Sequence, residues 1–253
     1  MAWDFTMAKY GELCRALLSA DYTPATVYQY LTDPPAGRTV VLRHDVDRKP
    51  ENALVMAELE SALEIHSTYY FRHPVTFVPE VIRQIQALGH EVGYHYEVLA
   101  KAKGDCERAI GFFTQELAEF RKICDVQTIC MHGSPLSRHD NRNLWKEYVF
   151  GEFGVTGEAY LSMAGNGLCY LTDTGRNWSG KHSVRDAMPG ADPAPVETTD
   201  DLIHWVESFG VEELYLTVHP ERWAASEEEW VAGCMKDIVV NVGKMFLMLG
   251  NSA

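Results

Sequence analysis

Apolar residues follow two different patterns along the chain, and the two patterns alternate from residue 38 onward. Short stretches that are apolar at nearly every position predict strands buried on both faces, as in a parallel sheet. Segments with apolar residues every three or four positions predict helices with one buried face. The predicted strands are 39–43, 67–71, 91–94, 126–131, 168–171 and 213–218. The predicted helices are 50–65, 79–88, 105–123, 199–209 and one that opens at Ser226.

Two of these helices carry recognisable packing or capping signals. The apolar residues that predict the buried face of the helix at 50–65 are Val55, Leu59, Ala62 and Leu63. The last helix opens with Ser226 and Glu229 in the spacing of a capping box, which satisfies N–H groups of a first turn. Its apolar face runs on to Leu249.

The remaining segments complete a single predicted domain. Residues 186–195 are rich in Pro and Gly and predict a loop. The helical pieces 7–18 and 24–31 belong to an N-terminal helical extension, residues 1–37, which we expect to pack outside the sheet or close one end of it. In the rest of the chain, residues 38–253, the alternation of strands and helices predicts an α/β fold with a parallel sheet.

The composition is that of a globular enzyme with a large core. The chain has 253 residues, of which 46% are hydrophobic and 23% charged, and its formal net charge is −14. No cluster of Lys and Arg interrupts this acidic balance, which argues against nucleic acid and anionic membranes as partners. No apolar run approaches a membrane span, and no signal peptide is recognisable. We therefore expect a cytoplasmic protein without membrane insertion, whose six scattered cysteines are reduced thiols.

Two carboxylates stand at the end of the first predicted strand. Asp45 and Asp47 lie two positions apart, so both side chains point to the same face if the strand continues. One carboxylate can then hold a divalent cation while the other stays available as a base, which is what metal-assisted hydrolysis needs. An Asp pair in this position can equally cap the helix that follows. Because two Asp residues at this spacing are common, these two residues alone favour the capping interpretation.

Three histidines stand at or just beyond other predicted strands, and they are His95, His132 and His219. Neutral imidazole is the commonest nitrogen ligand of catalytic divalent ions, and a His that titrates near working pH also serves as a general acid. Each of the three can instead be a polar residue satisfied by hydrogen bonds at the barrel rim. Because the carboxyl ends of barrel strands meet on one face, where active sites are built, the coincidence favours a site.

Two segments carry a resemblance to a known family. Residues 43–47 read Arg-His-Asp-Val-Asp, and residues 89–95 read Gly-His-Glu-Val-Gly-Tyr-His. Both segments resemble motifs of the polysaccharide deacetylases, the metal-dependent N-deacetylases of family 4 carbohydrate esterases. The resemblance covers residues 39–223 and is that of a divergent subgroup. It implies a distorted (β/α)7 barrel.

The same resemblance implies roles for individual residues. Asp45 is expected to be the catalytic base, Asp47 and His95 metal ligands, and His219 the general acid. The second metal histidine of the family pattern would fall at position 99, where this chain has Leu99. The usual triad of one Asp and two His therefore cannot form in its usual way.

The third metal ligand has to come from elsewhere in the chain. We expect His132 to supply it, because His132 lies where the family's third motif lines the cleft. Glu97 is the rival ligand and His44 a weaker one. Arg43 is expected to tune the neighbouring base by its charge. Contacts to the substrate are expected from Arg43, Glu97, Asp173 and Trp178.

Together the residues and the resemblance predict a metal-dependent hydrolase. It would remove an acyl group, in the simplest case acetyl, from the amide nitrogen of an N-acetylated sugar or glycan intermediate. The expected cation is zinc, with cobalt, nickel and manganese as alternatives. The expected substrate is a small molecule or an oligosaccharide. Two other functions stay open: hydrolysis of a non-sugar linear amide, and a non-catalytic glycan-binding barrel that has lost a metal ligand.

Overall fold

The computed structural model describes residues 3–133, 137–180, 188, 196–208 and 210–235. Within these residues, the strands of one sheet are β1 (Thr23–Ala25), β2 (Thr39–Val46), β3 (Thr68–Phe71), β4 (Glu91–Tyr96), β5 (Thr128–Met131), β6 (Gly157–Glu158), β7 (Cys169–Thr172) and β8 (Glu213–Val218). The α-helices are α1 (Met7–Ser19), α2 (Val27–Thr32), α3 (Pro50–Ser61), α4 (Pro79–Ala87), α5 (Val98–Lys101), α6 (Cys106–Arg121) and α7 (Thr199–Ser208).

Seven of the strands run side by side in the order β6-β5-β4-β3-β2-β8-β7, and every pair along this path is parallel. The helices α3, α4 and α6 connect successive strands, which is the arrangement of repeated βα units. The short strand β1 lies off this path and pairs with the first residues of β2. The prediction of a distorted (β/α)7 barrel is confirmed.

The distortion lies between the two edge strands, β6 and β7, which do not pair with each other in the described part of the chain. Side chains cross this seam instead. The hydroxyl of Tyr215 donates to the carbonyl of Ala159 at 2.9 Å, and the rings of Tyr160 and Tyr170 meet with their centroids 6.3 Å apart. The barrel interior is therefore packed beneath the strand ends.

Alternation along β2 sends its side chains to two different layers. Arg43 and Asp45 point into the barrel, where the guanidinium group contacts both the Asp45 carboxylate and the hydroxyl of Tyr215. His44, between them, points to α3 and lies 2.8 Å from a carboxylate oxygen of Glu60. All residues of β2 are buried, so both layers exclude water.

The predicted buried face of the helix at 50–65 is only partly right. Leu59 and Leu63 are partly buried against the core, but Val55 is 43% exposed and Ala62 is exposed as well. The residues that α3 buries include Ala53, Met56, Ala57 and Glu60. Small alanines let the helix approach the sheet closely, and the Glu60 carboxylate can be buried because His44 meets it across the interface. The helix also ends at Ser61, before the predicted boundary.

The segment after α1 also differs from the prediction. Residues 23–25 form β1, and the helix that follows begins at Val27 instead of residue 24. β1 pairs with β2 in the described part of the chain and forms an edge of the sheet. Pro24 is tolerated there because an edge strand does not need every N–H for a ladder hydrogen bond. Farther along, residues 227–235 are helical, and the predicted cap is confirmed, since the N–H of Glu229 donates to the Ser226 hydroxyl at 3.3 Å.

Some predictions fall on parts of the chain outside the described residues. The predicted loop at 186–195 is one of them except for Met188. The apolar face of the last helix is described only as far as Met235. Among the described helices, none has the combination of length and apolar character that crossing a membrane demands.

Candidate active site

The predicted site residues gather at the carboxyl ends of four strands. Asp45 and Asp47 come from the end of β2, and His95 comes from the end of β4. His132 follows β5 directly, and His219 follows β8 directly. Because these strands are parallel, their ends share one edge of the sheet. The backbone N–H of His132 extends the ladder from β5 to β4 by a further hydrogen bond of 2.8 Å.

Asp47, His95 and His132 form a compact group of potential metal ligands, called the ligand trio below. One ligand atom from each residue lies within 4.8 Å of the other two. Oδ1 of Asp47 is 3.3 Å from Nε2 of His95 and 2.9 Å from Nδ1 of His132. The two imidazole rings meet edge to face, with their centroids 5.1 Å apart. A carboxylate oxygen and two imidazole nitrogens are a donor set that zinc accepts.

The orientation of His95 is fixed by a hydrogen bond behind the ring. Its Nδ1 lies 3.0 Å from the carbonyl oxygen of Cys130. A carbonyl only accepts, so Nδ1 carries the hydrogen and Nε2 of the neutral ring presents a lone pair. That lone pair faces Asp47 Oδ1 at 3.3 Å and Asp45 Oδ2 at 3.8 Å. Three electron-rich atoms converge there, so a proton or a cation is needed between them.

The carboxylate of Asp47 supports the same conclusion. Its Oδ1 is buried and has no hydrogen-bond partner, although nitrogens of His95 and His132 are close. Burial raises the pKa of Asp47, but the charge of His132 outweighs burial and holds that pKa well below its usual range. Asp47 in turn raises the pKa of His132 against the lowering effect of burial. An ionised oxygen without a directed donor fits a divalent cation.

The two rival third ligands lie elsewhere. Glu97 binds the guanidinium group of Arg72 through both oxygens, at 3.0 and 2.9 Å, and stays 4.0 Å from Nε2 of His132. His44 lies on the other face of β2, against α3. Leu99, at the position of the family's second histidine, is buried in the core. Of the three candidates, only His132 joins Asp47 and His95 in one group of ligand atoms.

A second group of possible ligands lies deeper in the barrel and was not predicted. It consists of Asp45, His95 and Cys130. The Cys130 sulfur is 3.8 Å from Asp45 Oδ1. Both Asp45 oxygens already accept hydrogen bonds from Arg43, which leaves this carboxylate less able to bind a cation than Asp47. Residues 130 and 132 share one side of β5 and its extension by period-two alternation, which is the signal that could have identified Cys130.

Asp45 is paired with Arg43 through two hydrogen bonds. Nε donates to Oδ1 at 2.8 Å and Nη2 donates to Oδ2 at 2.5 Å, and both side chains are almost fully buried. Burial raises the pKa of Asp45, but the charge of Arg43, followed by that of His95, brings the pKa down to about 2. The carboxylate therefore stays ionised at every working pH. The Arg43 side chain is itself fully buried, so it contacts Asp45 inside the barrel and does not reach the cleft.

His219 is oriented by Asp173. Nδ1 of His219 lies 2.6 Å from Asp173 Oδ1, and the backbone N–H of His219 donates to Oδ2 at 2.9 Å. The indole N–H of Trp223 donates to the same Oδ2 at 2.8 Å. Burial and then Arg222 lower the pKa of His219, but Asp173 raises it more, and the result is about 9. The ring is thus held protonated in the neutral range, with Nε2 directed away from the Asp173 contact.

Three of the residues expected to contact substrate lie behind the site. Arg43 and Asp173 have no exposed surface, and each is committed to a catalytic candidate. Trp178 is 1% exposed and packs near Phe5 and Trp223. We therefore do not assign these three to substrate binding, because a substrate that enters from solvent cannot touch them. Glu97 is partly exposed and stays at the cleft.

Glu221 is a further site residue that the sequence analysis did not single out. Its side chain is 5% exposed, and its Oε2 has no hydrogen-bond partner in the structure. Burial, followed by the charge of Asp47, raises the pKa of this carboxyl to about 7. Its place two positions after His219, beyond a strand end, is the signal that could have identified it.

Comparison with known proteins gives little beyond the fold. No protein-family model matches the chain, and no curated protein matches it. Solved structures that match include one described as the structure of a Streptococcus mutans CE4 esterase. It is 13% identical, the match covers 85% of this chain and 84% of that chain, and the TM-score is 0.44. A likeness at this level does not identify a reaction, so the functional conclusion depends on the geometry of the site.

Proposed function

We propose that the protein is a metal-dependent hydrolase that removes an acyl group, with acetyl as the first candidate, from the amide nitrogen of an N-acetylated sugar or glycan intermediate. The observation that carries this proposal is the convergence of Asp47, His95 and His132 on one point. A buried, ionised Asp45 and a protonated His219 lie around the same strand ends. Cation ligands, a proton acceptor and a proton donor are the parts that amide hydrolysis requires.

The ligand trio would hold the cation, with zinc first and cobalt, nickel or manganese as alternatives. When bound, a divalent cation in such a site polarises a carbonyl oxygen and acidifies water. The chain prepares the trio for this in two ways. The carbonyl of Cys130 fixes the tautomer of His95, and burial keeps competing water from Asp47 Oδ1.

Asp45 would take the proton from the attacking water. Its carboxylate is already ionised, which is the state that a base needs. The same bidentate contact with Arg43 makes it a weak base, so it can accept a proton only from an acidified water. Arg43 also holds the carboxylate in one orientation, since two parallel hydrogen bonds prevent rotation about the side chain.

His219 would give a proton to the leaving amine. Amide hydrolysis needs this step because an unprotonated amine anion is a very poor leaving group. Asp173 positions the ring and keeps the proton on it, and no part of Asp173 needs to reach the substrate. Two members of the trio, Asp47 and His132, are partly exposed, as are the neighbouring Arg72 and Glu97. These four side chains would meet the substrate first.

The experiment that tests this function is a measurement of acetate release. The zinc-loaded protein is given N-acetylglucosamine, its phosphorylated and oligomeric forms, and a panel of non-sugar N-acetyl amides. We expect acetate from a sugar, and a loss of about 10³-fold in turnover in Asp45→Asn, in line with removal of a general base. Asp33→Asn, at an exposed position away from the site, is the matched control.

Each alternative has its own result. Acetate from non-sugar amides alone would assign the barrel to linear amides. Bound metal and bound glycan without any hydrolysis would assign it to glycan binding. Full activity in Asp45→Asn would remove Asp45 from the mechanism.

A further inference from the structure

The far side of the His132 ring decides whether this residue can serve as a metal ligand. In the ligand trio it is Nδ1 of His132 that faces Asp47, 2.9 Å from Oδ1. A neutral imidazole carries a hydrogen on one nitrogen and a lone pair on the other, so a lone pair at Nδ1 places the hydrogen on Nε2. Histidines that bind metals almost always donate this second N–H to a carboxylate, a carbonyl or a water. An acceptor near Nε2 is therefore expected if His132 is built as a ligand.

The carboxylate of Glu97 lies on that side of the ring. Its Oε2 is 4.0 Å from Nε2 of His132. This separation is about 1 Å longer than a charge-assisted hydrogen bond between nitrogen and oxygen. The side chains of His132 and Glu97 are 13% and 15% exposed, so both border the cleft. That position leaves the imidazole room for the small rotation that closes the gap.

Arg72 fixes the position of the Glu97 carboxylate. Its Nη2 donates to both oxygens of Glu97, at 3.0 and 2.9 Å, and its Nη1 donates to the backbone carbonyl of Asp47 at 3.2 Å. The backbone of Arg72 is also tied down, because its N–H donates to the hydroxyl of Thr76 at 2.8 Å. That hydroxyl in turn donates to the carbonyl of Val46 at 2.8 Å. A guanidinium group held at both ends keeps Glu97 behind the histidine and away from the centre of the trio.

These contacts form a closed ring of side chains across four strand ends. Asp47, Arg72, Glu97 and His132 are the first residues after β2, β3, β4 and β5, and these four strands are neighbours in the sheet. Arg72 joins the Asp47 carbonyl to Glu97, Glu97 faces His132, and His132 returns to the carboxylate of Asp47. Two members of the ring belong to the ligand trio, and the other two support them.

The two histidines of the trio are supported by different kinds of acceptor. Nδ1 of His95 lies 3.0 Å from the backbone carbonyl of Cys130, which fixes the ring but carries no net charge. A carboxylate behind an imidazole fixes the ring and also makes its free nitrogen a more basic ligand. Glu97 is in the position to act in this way on His132, the ligand that replaces the expected histidine at position 99.

We propose that Glu97 is a positioning residue for His132, which accepts the Nε2–H of the imidazole and so presents the Nδ1 lone pair to the cation, while Arg72 holds Glu97 in place. This assignment rests on the metal site of the proposed function and does not depend on hydrolysis. It makes Glu97 a support behind a ligand instead of a rival ligand.

The first test measures the Kd for zinc by competition with a chelator. Glu97→Leu removes the acceptor and should raise the Kd about 10- to 100-fold, the effect of losing an outer partner of a metal-bound histidine. Glu97→Gln keeps an acceptor oxygen, so its Kd should stay within about tenfold of the parent value. Glu116→Leu is the matched control, because that carboxylate is exposed to a similar degree and also pairs with a cation, Lys101. Its Kd should equal that of the parent.

The outcomes separate this inference from the proposed function. A parent that binds zinc, with Glu97→Leu at the same affinity, would overturn the role of Glu97 and leave the metal site intact. A parent that binds no zinc would reject the ligand trio and the support behind it together. A loss in Glu97→Gln as large as that in His132→Ala would make Glu97 a ligand and would also overturn the proposal.

The second test reads the tautomer of His132 by NMR of the full-length, zinc-loaded protein with 15N-labelled histidine. In the parent, Nε2 should carry the hydrogen and Nδ1 should show the shift of a metal-bound nitrogen. The Nε2–H proton should resonate at lower field in the parent and in Glu97→Gln than in Glu97→Leu, because a hydrogen bond to oxygen deshields it. A role of Glu97 in folding alone would leave this resonance unchanged among the three proteins and would overturn the proposal. A hydrogen on Nδ1 of His132 in the parent would overturn it too.

Discussion

Nδ1 of His132 lies 2.9 Å from Oδ1 of Asp47, although the two residues come from strands β5 and β2, which are not neighbours in the sheet. The contact exists because parallel strands end at one edge and because each residue comes just beyond its strand. It brings a second imidazole to the carboxylate of Asp47, beside His95. The ligand trio therefore forms although Leu99 stands where the resemblance predicts a histidine.

The buried pair of Arg43 and Asp45 predicts a strong coupling in stability. Arg43→Met leaves a buried carboxylate unpaired and should lower the free energy of unfolding by about 3–5 kcal/mol. Arg43→Met combined with Asp45→Asn should lose much less than the sum of the two single changes, because neither charge is then left alone. Urea unfolding of the four proteins measures the coupling. Arg83→Met, at an exposed position, is the control, and strictly additive effects would contradict the pairing.

The contact between His219 and Asp173 predicts a pH dependence. A proton donor must be protonated, so activity is present below the pKa of His219 and is lost as the pH rises through it. That pKa is raised to about 9 in the protein alone, and a cation bound nearby would bring it down from this value. Asp173→Asn removes the group that raises the pKa, so the alkaline limb of kcat/KM should move to lower pH by one unit or more. An unchanged alkaline limb in Asp173→Asn would show that His219 is not the donor.

The cluster around Glu60 predicts sensitivity to acid. Burial raises the pKa of Glu60, but the charge of His44 outweighs burial and lowers the pKa from 4.5 to about 2. A depressed pKa stabilises the fold above the unfolded value, and this stability is lost as the pH falls from about 4.5 toward 2. Burial lowers the pKa of the neighbouring His90, which acts in the same direction.

The test compares Glu60→Gln with the parent protein in urea at pH 7 and pH 3. The loss in free energy of unfolding should be on the order of 3 kcal/mol at pH 7 and clearly smaller at pH 3, where the parent has begun to lose the same contribution. Glu58→Gln lies on the exposed side of the same helix and serves as the control. A loss that is equal at the two pH values would contradict the account of Glu60.

The sequence predicted the strand-end residues well for a physical reason. Strands of a parallel sheet are apolar along their length, so the first polar residues after each of them stand out, and the fold brings those residues together. His132 was predicted in this way, and the structure places it beside Asp47 and His95. Glu97 stays outside the trio because Arg72 holds its carboxylate, 4.0 Å from Nε2 of His132.

Other features depend on tertiary contacts that no local pattern reveals. Glu60 was not among the apolar residues from which the buried face of its helix was predicted. It is buried because His44 of β2, Tyr69 of β3 and Ser67, just before β3, all reach its carboxylate. Trp178 was expected from the resemblance to contact the substrate. It lies in the apolar core, where its indole N–H donates to the hydroxyl of Thr199.

The most direct test of the central claim is the zinc affinity of four proteins, measured by competition with a chelator and by elemental analysis. The parent should bind one zinc per chain, and His132→Ala should weaken binding about 100-fold or more, as loss of a ligand requires. Glu97→Gln and Cys130→Ser should each retain zinc with less than about a tenfold change. Strong binding that survives in His132→Ala and is lost in Glu97→Gln or Cys130→Ser would contradict the ligand trio.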